Sequence, residues 1–89
     1  MKDITLDCRD IAARSDLHRA FAHGLAFPDH YGNTLDSLHD CLTDIAEETR
    51  IRLKNWSAAE ERLGSYARSA KGAILDAAVE NKNLAVLFD

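Results

Sequence analysis

The sequence predicts an α/β fold: a small three-stranded parallel sheet packed with about four helices. Two short stretches alternate apolar and polar residues, and a third, at the end of the chain, is continuously apolar. Longer stretches with helical periodicity separate all three. Strands joined by helical connections favour a parallel sheet. A chain of 89 residues with 46% hydrophobic content fits one domain spanning residues 1–89, burying ~60–65% of the surface of its unfolded chain. No repeat, low-complexity segment or dividing linker interrupts it.

The opening "KDITLDC" sets Ile4, Leu6 and Cys8 against Thr5, Asp7 and Arg9, the period of two of a strand with one buried face. Ser15 is placed to cap a first helix in which Leu17, Ala20, Phe21, Gly24 and Leu25 fall at i, i+3, i+4, i+7 and i+8. That helix ends near Phe27, and Pro28 with Tyr31-Gly32-Asn33 makes residues 28–33 a loop. Thr34 or Asn33 caps a second helix, Leu35 to Ile45, with Leu35, Leu38, Leu42 and Ile45 turned to the core.

"RIRLKNW" then alternates Ile51 and Leu53 with Arg50, Arg52 and Lys54, a second strand with a basic outer side closed by Trp56. Ser57 to Glu60 matches a capping box that opens a short third helix, stopped by Gly64. A fourth helix runs from Ser65 to Glu80 with Ala70, Ile74, Ala77 and Ala78 inward. The apolar run Leu84–Phe88 suits a strand covered on both faces, as parallel sheets usually are.

The net charge of −4 and a pI near 5.5 disfavour nucleic acid and anionic membranes as partners and favour a basic one. No apolar segment approaches the roughly 20 residues that span a bilayer, and no signal-like segment is evident, so the expected location is cytoplasmic. Cys8 and Cys41 are expected as free thiols. CxxC, CxxH and HxxxH spacings are absent, so no cofactor is expected.

The acid is unevenly distributed. Residues 27–48 hold Asp29, Asp36, Asp40, Asp44, Glu47 and Glu48, and no Lys or Arg occurs between Arg19 and Arg50. On the second helix Asp36, Asp40 and Asp44 stand at i, i+4 and i+8, with His39 and Thr43 beside them. Asp76 and Glu80 repeat the spacing on the fourth helix. Like charges four apart cost a few tenths of a kcal/mol per pair, and carboxylates near a helix C-terminus oppose its dipole. A solvated face is the plain reading of one acidic pair, but local rules are most often broken where function requires it.

Asp36, His39 and Asp40 could ligate a divalent ion, but no second cluster completes the shell. His39 could act as a base oriented by Asp36 or Asp40, but no nucleophile or phosphate loop accompanies it. A docking surface for a basic protein explains the missing lysines and arginines, which would compete with the partner. His18 and His23 read as structural or surface residues, and Tyr31 and Trp56 as core.

The stretch "SDLHRAFAHGLAFPDHYGNTLDSLHDCLT", Ser15 to Thr43, resembles the barstar family, intracellular inhibitors of secreted barnase-type ribonucleases. The resemblance rests on Ser-Asp-Leu-His at 15–18, Leu25-Ala26, Pro28, Tyr31-Gly32, Leu35-Asp36, Leu38 and Asp40-Cys41-Leu42-Thr43. Looser similarity covers the remainder. It implies a barstar-like fold, no catalytic activity and no cofactor. It also implies a binding mode in which the second helix and its preceding loop plug a ribonuclease active site, with Asp40 in the place of the substrate phosphate.

Asp36, Thr43 and Glu80 match further contact positions, and Asp76 matches one where the family has Glu. The departures are His30 for a tyrosine, Thr34 for an asparagine, His39 and Ile45 for two tryptophans, and Asp44 for a glycine. Lost aromatic anchors should weaken binding to barnase itself. The expected binding residues are therefore His30, Thr34, Leu35, Asp36, His39, Asp40, Thr43, Asp44, Asp76 and Glu80, and the free protein is expected to be a monomer. The alternative is an acidic interaction or immunity module of the same fold whose partner is not a ribonuclease.

Overall fold

The computed structural model of the chain describes residues 1–89. Three strands, β1 (Lys2–Asp7), β2 (Thr49–Lys54) and β3 (Leu84–Phe88), form a wholly parallel sheet in the order β1-β2-β3. Helices α1 (Arg14–Gly24) and α2 (Leu35–Thr43) connect β1 to β2, and α3 (Trp56–Leu63) and α4 (Ser65–Glu80) connect β2 to β3. A short 3-10 turn, Cys8–Asp10, follows β1. The α/β architecture expected from the sequence is the one observed.

The apolar residues at alternate positions of the strands set the register. Ile4 pairs with Ile51 and Leu6 with Leu53, while Ile51 and Leu53 oppose Val86 and Phe88. One face of the sheet is thereby apolar, and the helices bury it in a single cluster of fifteen residues that includes Leu17, Phe21, Leu38, Leu42, Trp56 and Ile74. Burial of this kind contributes about 25 cal/mol per Å² of apolar surface, the main favourable term in so small a domain.

The other face is open. Arg50 and Arg52 project from β2, where Arg50 pairs with Asp3 at 2.8 Å and Arg52 reaches Asp89 at 2.7 Å. β3 does not have the two-sided cover expected of it: Ala85 and Leu87 are exposed, Leu87 at 54%. The helices all occupy one side, so an apolar run marks a covered face without establishing a second.

Several helix ends differ from expectation in the residue that caps them. α1 starts at Arg14, and the Asp16 carboxylate accepts from the backbone N–H groups of Ala12 and Ala13, both at 3.0 Å. Ser15 therefore lies inside the first turn. β2 ends at Lys54, Asn55 turns the chain with φ 58°, and Trp56 opens α3 instead of closing the strand. Ser57 consequently falls within α3 and does not cap it. Gly64, at φ 57° and ψ −128°, separates α3 from α4 in a conformation a side chain would strain.

Candidate protein-binding face

The loop before α2 is shaped by short local contacts. Tyr31 N–H donates to the Pro28 carbonyl at 3.0 Å, and Asn33 takes φ 54°. A β-carbon on Gly32 would come within 2.7 Å of the Ser37 hydroxyl, so glycine lets the loop lie on the first turn of α2. Thr34 caps that turn, accepting from Ser37 N–H at 3.1 Å.

Beneath the loop, the buried His18 ring joins Tyr31 and Tyr66, with each ring nitrogen 2.6 Å from a tyrosine hydroxyl. In the neutral imidazole one nitrogen donates and the other accepts, which satisfies both. Burial pushes the His18 pKa below its ordinary value and so favours that neutral form. The contact ties α1, the loop and α4 together.

Leu38 and Leu42 are fully buried, which turns the opposite side of α2 outward. Asp36, Asp40 and Asp44 are exposed there, and Asp40 retains 79% of its side-chain accessibility. Asp76 and Glu80 are exposed on α4. Two contacts fix the helices against each other. The Asn81 side-chain amide, buried at the end of α4, donates to the carbonyls of Leu42 and Ile45, each at 2.9 Å. Leu42 lies in the last turn of α2 and Ile45 just beyond it, so the amide ties the end of α2 to α4.

The second contact is between His39 and Glu80. His39 Nε2 bonds the Glu80 carboxylate, and its Nδ1 lies 3.7 Å from Asp40. The Glu80 hydrogen bond, followed by the field of both acids, raises the His39 pKa. His39 is thus oriented by Glu80 across the helix pair, with Asp40 second and Asp36 uninvolved.

Asp36, Asp40, Asp44, Asp76 and Glu80 form no ion pair with any Lys or Arg; the basic side chains in ion pairs engage Asp3, Asp7, Asp16 and Asp89 instead. The other expected residues are distributed around this face. His30 is exposed on the loop and Thr34 at the cap, whereas Leu35 is half-buried and packs on the core. The Thr43 hydroxyl donates to the Asp40 carbonyl at 2.9 Å, leaving its oxygen free to accept. Sequence reasoning missed Asn81 altogether. Its one local signal is its place directly after the fourth helical stripe.

A family model described as Barstar (barnase inhibitor) matches residues 1–89. The chain is also 38% identical over 84 residues to "Putative ribonuclease inhibitor YrdF" of Bacillus subtilis (strain 168), a match covering 93% of this chain and 92% of that protein.

Proposed function

The chain belongs to the barstar family, whose members are inhibitors and not enzymes, and from that premise we propose that it inhibits a basic ribonuclease by inserting Asp40 into the enzyme's phosphate-binding site. The observation that carries this reading is the set of carboxylates on α2 and α4, exposed together and without an internal lysine or arginine partner. A helix already held in place loses little backbone freedom on binding. Asn81 and the His39–Glu80 contact hold the helices that carry these charges. Asp40 is the most central of them, with Asp36 and Asp44 one turn to either side. Asp36, Thr43, Asp76 and Glu80 surround it with further acceptors, while His30 and Thr34 border it from the loop.

Alanine variants of Asp40, Asp29 and Glu48, titrated against a barnase-type ribonuclease, test the assignment. Loss of a desolvated charge pair at Asp40 should cost about 3 kcal/mol, roughly 150-fold in Kd, against less than about threefold at the outlying acids. Equal small losses at all three would mean diffuse attraction, the behaviour of a general acidic interaction module.

A further inference from the structure

A pocket of about 330 Å³ opens between the loop and the C-terminal end of α2. Leu25, Phe27, Pro28 and Ile45 give it apolar surface, and the exposed Asp44 and His30 are among its polar lining. Asp44 forms no ion pair and follows the last residue of α2, where the helix dipole disfavours an anion. No Lys or Arg lies between residues 20 and 49 to compensate it. The pocket therefore combines an apolar interior with an unpaired negative charge.

Few side chains satisfy both features. A purely apolar occupant would desolvate Asp44 without pairing it, and an acidic one would be repelled. Lysine would bring only a point charge. Arginine carries an apolar stem and a planar fork that bonds a carboxylate through two N–H groups and stacks on an aromatic ring. We propose that this pocket receives an arginine side chain of the basic partner, its stem against Phe27 and Ile45 and its guanidinium on Asp44. The inference rests on the inhibitor reading and adds to it a second anchoring point, in which the partner supplies the protruding side chain.

The test has two arms, both at pH 8. In the first, NMR follows the protein alone as N-acetyl-arginine amide is added, with N-acetyl-leucine amide as the comparison. Shifts confined to residues 25–30 and 41–45, specific to the arginine probe and lost in Asp44→Asn, are expected. No such shifts, or equal shifts with leucine, would overturn the proposal whatever the ribonuclease result.

In the second arm, the wild type and Asp44→Asn are titrated against a barnase-type ribonuclease. Asp44→Asn should weaken inhibition about tenfold, while Asp29→Asn stays within about twofold. An unchanged Kd in Asp44→Asn with an inhibiting wild type would reject the pocket alone. If the wild type does not inhibit, the inhibitor reading fails and the pocket stands or falls on the NMR arm.

Discussion

His18 and His39 illustrate how two residues of one type acquire opposite properties from their surroundings. His18 is buried and its pKa is lowered, so protonation below its ordinary 6.5 favours the unfolded chain. Stability should fall as pH drops from 6.5 toward the folded value. His39 is held by Glu80 and Asp40 and its pKa is raised, so its contribution is complete below 6.5 and is lost as pH rises through the folded value. Urea unfolding at pH 5, 6.5 and 8 checks both signs: His39→Gln should abolish the loss on the alkaline side and leave the acid-side loss in place.

Binding follows a different sign. Protonated His39 places positive charge between Asp40 and Glu80, on a face that also presents Asp36, Asp44, Asp76 and His30. Affinity for a basic ribonuclease should therefore be higher at pH 8 than at pH 5.5. His39→Gln should reduce that difference, which separates this residue's effect from titration of the enzyme itself. An unchanged pH dependence in the variant would remove His39 from the mechanism.

At the scale of elements, α2 is made to present charge by what holds its two ends. Thr34→Ala removes the cap and should cost about 1 kcal/mol. Asn81→Ala removes the buried bonds to the Leu42 and Ile45 carbonyls at the other end, at about 2 kcal/mol, and should lower the melting temperature by roughly 8–16 °C. It should also weaken inhibition at temperatures where the protein remains folded, because α2 is no longer fixed against α4. A variant as stable and as inhibitory as the wild type would show that Asn81 positions nothing.

The same elements show what a sequence can disclose. The buried stripe of α2 and the acidic row opposite it follow from a repeat of 3.6 residues and were legible without a structure. The Thr34 cap was legible as one of two choices. The Asn81 bonds to α2 and the His39–Glu80 contact were not, because they join residues roughly 40 positions apart and depend on how α4 docks. Ser57 failed as a cap for a related reason: Asn55 turns the chain early and burial of Trp56 starts the helix ahead of it.

Across the whole molecule, Arg50 and Arg52 of β2 lie on the open face of the sheet, paired with Asp3 and Asp89, while Asp36, Asp40 and Asp44 of the α2 segment and Asp76 and Glu80 of α4 face solvent without a lysine or arginine partner. No helix is long and apolar enough to cross a membrane. The open sheet face could not be foreseen from β3, whose apolar run lacks the alternation that would have revealed one exposed side. A partner steered by the acidic face should bind faster and more tightly at low ionic strength, because charges separated by more than about 10 Å are screened at 0.1 M salt.

The most direct test is a titration of this protein into a barnase-type ribonuclease while RNA cleavage is followed at low and at moderate salt. Cleavage should be lost at one inhibitor per enzyme, with salt weakening the inhibition. Full RNA cleavage in excess of this protein at low salt would contradict insertion of Asp40 into a ribonuclease phosphate site.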